Sequence, residues 1–424
     1  MFWELVAVFV FLFTYALIVD ERIHRAVAAM IGAAIVIFLH IVPWDSLLVY
    51  LDFGTIFLLM GMMIIVNTAR TSGLFEYIAI RTAKMAKGSP IRVLILFSLV
   101  TALASAFLDN VTTVLLLTPM LLTIARLMKL NPLPYLIAEI FASNVGGAAT
   151  LIGDPPNIMI ASAAGLTFNE FLMVMAPIAL IDLGIIILMM FLIYGKSMKV
   201  EPHERDVMKK AMEGLDENAA IQDRSLFKKS IVTILLVVVM FFFHSLLGLE
   251  PAEVALIGAA IILFWSREPP EMILEKIEWP ALFFFGGLFI VVGALVETGV
   301  ISQIAGAMVG LVSTTGEAMI LVVWFSAIAS ALVDNIPLTA AMIPLIKDLG
   351  TSMEIYPLWW ALAVGACLGG NGTAIGASAN VVVLGISERE GIRISFLDFM
   401  KLGMAVMAIT VAVGLGILWI MFIL

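Results

Sequence analysis

The sequence predicts an all-α polytopic membrane protein: two inverted repeats of five transmembrane helices, each with a re-entrant helical hairpin and a discontinuous helix. Three observations carry the prediction. Apolar runs of membrane-spanning length recur along the whole chain, a set of motifs repeats at an offset of 223 to 226 residues, and one long polar stretch separates the copies.

Of the 424 residues, 62% are hydrophobic and 13% charged, too little polar surface for a soluble globule. A bilayer core of about 30 Å needs about 20 apolar residues per helix. Lipid offers backbone groups no partner, and the apolar runs are continuous rather than alternating, so helices are expected and a barrel is not. The net charge of −9 and the lack of a basic block give no reason to expect a nucleic-acid partner. With one cysteine, Cys367, neither an internal disulfide nor a multi-thiolate metal site can form, and the four histidines form no HExxH.

Met1-Phe2-Trp3-Glu4 lacks a basic n-region, so residues 2–19 read as a retained first span. Further spans are expected at 26–42, 54–69, 133–161 and 171–194, and in the second copy at 230–247, 252–266, 280–296, 356–386 and 402–424. The first repeat then covers 1–195, the cytoplasmic linker 196–229 and the second repeat 230–424. Gly32-Ala33-Ala34-Ile35 recurs as Gly258-Ala259-Ala260-Ile261, and Ala104-Ser105-Ala106 with Asp109-Asn110 recurs as Ala329-Ser330-Ala331 with Asp334-Asn335. Gly146, Gly147, Thr150, Gly153 and Asn157 meet Gly369, Gly370, Thr373, Gly376 and Asn380. A slow drift of offset in constant order indicates duplication.

The segments 91–124 and 318–346 are apolar but broken at Asp-Asn, which suits hairpins that enter and return. Five crossings per half then invert the second copy, the plan of many secondary transporters. Loops at 20–25, 70–92, 125–132, 196–229, 267–279 and 387–401 hold 22 of the 23 Lys and Arg residues, making that side cytoplasmic and placing both termini outside. Letting 133–161 re-enter instead gives 21 against 2, so charge alone does not choose the hairpin.

Intramembrane ionisable groups are costly and point to function. Asp109 and Asp334 each precede Asn and open a helical run, so each is either a helix cap or, as a symmetric pair, an ion-coupling group. Site candidates on the first tip are Asp109, Asn110, Thr112 and Thr113, and on the second Asp334, Asn335 and Thr339. In the broken helices the candidates are Asn144, Gly146, Gly147, Thr150, Gly153, Asp154 and Asn157 in the first copy and Gly369, Gly370, Asn371, Thr373, Gly376, Ser378 and Asn380 in the second, where no acid stands in place of Asp154. Glycine pairs and Pro155-Pro156 free backbone carbonyls and amides there, for an ion or for close helix packing. Glu139 and Asp182 are further buried acids of undecided role.

Phe107-Leu108-Asp109-Asn110-Val111-Thr112-Thr113, Gly146-Gly147-Ala148-Ala149-Thr150 through Gly153-Asp154-Pro155-Pro156-Asn157, and Gly365 through Val381 resemble the melanosomal P protein branch of the ion transporter superfamily. That superfamily also holds arsenite permeases, sodium/proton antiporters and dicarboxylate carriers. The resemblance implies a homodimer with scaffold and transport domains moving like an elevator. It also implies hairpin tips at Asp109-Asn110-Val111 and Asp334-Asn335-Ile336, where the carboxylate carriers hold sodium with Ser-Asn-Thr. Here an acid replaces Ser and an aliphatic replaces Thr, and a carboxylate can take a proton or bind a cation directly.

The expected function is secondary active transport of a small inorganic ion coupled to protons or sodium: sodium/proton exchange, or arsenite-type metalloid or anion transport. No cofactor is expected beyond bound sodium at Asp109, Asn110, Asp334 and Asn335, and the expected location is a prokaryotic plasma membrane. A dicarboxylate carrier ranks lower because the motifs place no Arg or Lys beside the site. A passive anion channel is a further alternative. An intramembrane aspartyl protease would need GxGD, but the run here is Leu151-Ile152-Gly153-Asp154, although Pro280-Ala281-Leu282 imitates a PAL motif.

Overall fold

The computed structural model describes residues 2–19, 22–266 and 269–424. Met1, Asp20, Glu21, Arg267 and Glu268, which belong to the expected outer N-terminus and two expected cytoplasmic loops, lie outside the described residues. All regular structure among the described residues is helical.

The first copy opens with α1 (Phe2–Val19), α2 (Arg25–Phe38), the single turn α3 (Leu47–Tyr50) and α4 (Phe53–Thr71). Asp52 caps α4, accepting from the Thr55 amide at 3.1 Å. An arm, α5 (Leu74–Met85), leads to the hairpin α6 (Pro90–Phe107) and α7 (Asn110–Leu127). The discontinuous helix follows as α8 (Leu133–Ala148) and α9 (Pro155–Ala164), and α10 (Phe168–Tyr194) closes the copy. Tandem prolines start α9 because its first turn needs no N–H partner there.

Within the linker stands α11 (Pro202–Glu213). The second copy repeats the series as α12 (Arg224–Leu247), α13 (Pro251–Ser266), α14 (Pro270–Leu274), α15 (Trp279–Glu297), arm α16 (Val300–Val309), hairpin α17 (Thr315–Leu332) and α18 (Asn335–Leu349), broken helix α19 (Tyr356–Gly369) and α20 (Ser378–Arg389), and α21 (Phe396–Phe422).

The sequence predicts no span for either arm: α5 falls in the expected loop 70–92 and α16 between the expected segments 280–296 and 318–346. Each starts just after a glycine with left-handed backbone, Gly73 at φ +83° and Gly299 at φ +75°. Such a turn lets the chain leave a spanning helix and run on in a new direction. α5 carries Glu76, Arg81 and Lys84 among apolar residues, too polar to register as a span. The hairpin arms are also longer than expected. α6, α7 and α17, at 18 residues each, are long and apolar enough to cross a membrane, so length does not mark them as hairpins. What marks them is where their tips lie.

The helices sort into two packed groups. In one, α2 packs on α1 and α15, α4 on α13, and α13 on α12. In the other, both hairpins embrace the broken helices, α6 and α7 on α8, α17 and α18 on α19, with α10 and α21 behind them. α4 meets α9 and α15 meets α18 across the boundary, so the breaks and tips face it.

Candidate functional site

The two broken helices are built by one hydrogen-bonding rule, applied twice. Asn157 Nδ2 donates to the carbonyls of Gly147 at 3.1 Å and Thr150 at 3.0 Å, and Asn380 Nδ2 donates to those of Gly370 and Thr373, each at 2.8 Å. The Thr150 hydroxyl donates to the Ala106 carbonyl and that of Thr373 to the Ala331 carbonyl, tying each break to its hairpin's first arm. Ser105 and Ser330 add donors to Ser143 O and Ala366 O, both at 2.7 Å. The copies also hold each other: Asn144 Nδ2 donates to Asn380 Oδ1 at 2.9 Å, and Cys367 Sγ, at the matching position, donates to Asn157 Oδ1 at 3.1 Å. Asn144 further donates to Asn371 Oδ1 at 3.0 Å.

These bonds change the role read for several residues. The carbonyls of Gly147, Thr150, Gly370 and Thr373 already accept from Asn157 or Asn380, so these two asparagines staple the breaks. The glycines serve close approach. A Cβ at Gly146 would fall 2.3 Å from the Ala102 carbonyl oxygen and one at Gly369 2.6 Å from that of Ala327. Gly153 lies equally tight on Gly147 and Ser105, and Gly376 on Gly370 and Ser330. Thr113 is buried, and Thr339 donates to the Asn335 carbonyl of its own helix at 2.8 Å.

The tips converge on the breaks. An inner chamber of about 30 Å³ is lined by Asp109, Asn110, Asp154, Asn335 and Ser378, with Met63, Glu278 and Phe285 from the first helix group. Asn335 Nδ2 donates to Asp154 Oδ2 at 3.1 Å, joining the second tip to the first break. Asp154 stands at the start of α9 without capping it, whereas Asp109 caps α7 through the Thr112 amide at 2.8 Å and also accepts from the Thr112 hydroxyl. Asp109 is therefore both a cap and a chamber wall.

The twin tip differs. Asp334 caps α18 through the Ile336 amide at 3.0 Å, but Pro337 occupies the position equivalent to Thr112 and offers no hydroxyl, so the second oxygen is held from outside the turn: Ser378 Oγ donates to it at 2.5 Å, and Arg25 forms an ion pair with it at 3.5 Å. Arg25 also donates to Ser378 and lies 5.4 Å over the Phe284 ring. Asp334 lines a second, open chamber of about 390 Å³ with Ile18, His24, Leu332 and Val382. Arg25, Val111, Phe284 and Ser378 border both chambers, so the larger is the vestibule of the smaller.

Arg25 corrects the expectation that no Arg or Lys stands beside the site. By sequence it belongs to the expected loop 20–25. In the structure it begins α2, whose 14 residues span only about 21 Å, less than the bilayer core, so a helix end reaches inward. Glu278, at the start of α15, also falls within an expected loop, 267–279, and lines the chamber. Glu139 and Asp182 line neither chamber. Glu139 accepts from Thr118 at 3.1 Å, and both Asp182 oxygens are buried without a protein partner. No three described His, Cys, Asp or Glu side chains cluster closely enough to hold a metal ion, so a sodium ion here would rely on amide or backbone oxygens as well.

Residues 15–365 match the family profile CitMHS, described as citrate transporter. The chain is 44% identical over 98% of its length to a 46 kDa membrane protein of Mycobacterium leprae, of which it covers 98%, and equally to an uncharacterized transporter of Mycobacterium tuberculosis. It is 34% identical to the human P protein over 95% of this chain and 58% of that one. A crystal structure of the YdaH transporter of Alcanivorax borkumensis superposes with a TM-score of 0.55 at 16% identity, covering 89% of this chain and 88% of that one.

Proposed function

The chain belongs to the CitMHS citrate transporter family and is an integral membrane transporter, and on that premise we propose that it is a secondary active carrier of a small inorganic ion coupled to protons or sodium. The observation that carries this reading is the inner chamber. At about 30 Å³ it has room for one or two water-sized species, and its walls present two aspartates and two asparagine amides. Carboxylates removed from water favour a cation or proton as partner. Asp109, Asp154 and Asp334 are the coupling groups in this reading, with Asn110 and Asn335 orienting the ion.

The two helix groups, with the tips at their boundary, favour an elevator in which the hairpins and broken helices move against a dimeric scaffold. The vestibule opens beside His24 and Arg25, on the side that the charge bias makes cytoplasmic. Sodium/proton exchange fits the chamber, whereas a metalloid or anion would need the larger vestibule. A di- or tricarboxylate substrate is favoured by Arg25 and by the vestibule volume, and would lie in the vestibule while the coupling ion occupies the chamber.

Flux into proteoliposomes separates these readings, with sodium, pH, arsenite and citrate varied one at a time. Asp109→Asn and Asp334→Asn are expected to lower coupled flux by tenfold or more, since the loss of one charged partner is worth about 1.4 kcal/mol or above. Undiminished coupled flux in both variants would refute the assignment.

A further inference from the structure

Arg25 stands on the stationary side of the proposed carrier, and its two polar partners stand on the moving side. Its helix α2 packs with α1 and α15, while Asp334 opens α18 and Ser378 opens α20. The guanidinium is the one charged link in contact with a hairpin tip across this boundary among the ion pairs of the described residues. The position equivalent to Arg25 in the other copy is Pro251, and the other tip acid, Asp109, is satisfied by its own Thr112. The twofold design is thus broken at the second tip, where a tethered cation meets a tip carboxylate.

We propose that Arg25 is a positioning residue that acts as a built-in substitute for the transported cation: it occupies Asp334 while the site is unloaded, and an alkali cation of sodium's size displaces it. The inference rests on the transport reading above and narrows its coupling ion to an alkali metal. The charges around the chamber support it. Asp109, Asp154 and Glu278 line the chamber and Asp334 the vestibule beside it, against one cation, Arg25, so the walls attract a further positive charge. A cation entering from the vestibule passes the Arg25 and Asp334 pair first. Asp334 does not hold both at once, because two cations on one carboxylate repel each other. Once released, Arg25 keeps its place over Phe284 with its head toward the vestibule water, and the link between the helix groups is gone. Loading thereby frees the moving group, and an empty carrier stays locked.

The test uses the full chain in nanodiscs, titrated with sodium chloride against choline chloride at constant ionic strength, and reads the sodium-induced rise in unfolding temperature. Wild type is expected to saturate, Arg25→Gln to reach half-saturation at about tenfold lower sodium because its competitor is gone, and Arg25→Lys to stay near wild type because it keeps the charge. Asp334→Asn is expected to lose most of the response. Phe284→Leu, which removes the surface under the guanidinium but leaves the charge, is expected to shift the midpoint the same way by a smaller factor, and serves should Arg25→Gln not fold. A midpoint unmoved in Arg25→Gln and Phe284→Leu overturns the proposal, as does a weakened response to citrate with the sodium midpoint unchanged, which would make Arg25 an anion ligand. A wild type indifferent to sodium, with proton-coupled flux lost in Asp334→Asn, overturns it while the transport reading stands.

Discussion

At the scale of single residues, the same amino acid does different work in the two copies because its neighbours differ. Both tip aspartates cap their own helices, but Asp109 has a threonine three residues on and Asp334 a proline, so the second carboxylate oxygen is held by Thr112 in one and by Ser378 and Arg25 in the other. Asn157 and Asn380, in contrast, do the same work twice. Each satisfies two carbonyls that helix interruption leaves open, and a buried carbonyl without a donor costs about 1–3 kcal/mol. Asn157→Ala and Asn380→Ala should each destabilise the protein by about 2–5 kcal/mol and lower its unfolding temperature in detergent. If these residues ligated the ion instead, the variants would keep their unfolding temperature and change the half-saturating ion concentration. The motif was legible in the sequence as Asn at matched places. Its function as a staple was not, because the donor's acceptors lie seven and ten residues back, and which of them it reaches depends on how the break folds.

At the scale of elements, the linker is more than a spacer between copies. It docks on the first arm: Gln222 donates its amide to the Ser72 carbonyl at 3.1 Å, and Lys84 of α5 donates to the Leu215 carbonyl at 3.1 Å and pairs with Glu217. Lys84 holds the Glu217 carboxyl below its ordinary range, first through the hydrogen bond and also through its charge. A depressed carboxyl contributes above its unfolded range and ceases to do so as pH falls through its folded value. The linker clamp should therefore hold at neutral pH and loosen on acidification below the carboxylate range. Exposure of the linker to an acid-active protease such as pepsin, compared between pH 3 and pH 5, checks this; Lys84→Ala should be cut as readily at pH 5 as wild type is at pH 3. Equal cutting of wild type at both pH values would deny the clamp. The arm that carries this contact is not legible as a span because α5 is 12 residues long and interrupted by Glu76, Arg81 and Lys84, and α16, of 10 residues, is likewise short.

At the scale of the whole molecule, the arrangement depends on orientation. The bias of 22 basic residues to one side leads to the expectation that the linker, Arg25 and the vestibule share the cytoplasmic side and the loop near Glu250 lies outside. The single cysteine is buried, which makes labelling clean. In a Cys367→Ser background, Lys209→Cys should react with an impermeant maleimide only after the cell is opened, and Glu250→Cys in intact cells. The reverse pattern would invert the carrier and turn the vestibule outward. The serine hydroxyl can replace the Cys367 thiol as donor to Asn157, so the background itself is expected to keep its fold.

By itself the sequence determined that the chain lies in a bilayer, that its motifs come in pairs, and which tips and breaks are exceptional, because hydropathy and repetition are local properties written residue by residue. Only the tertiary structure decided what those exceptional residues touch. Whether Asp154 faces Asn335, whether a basic residue counted in a loop reaches Asp334, and whether a freed carbonyl is open or already taken are questions of packing between segments up to 353 residues apart, and no spacing along the chain encodes that distance.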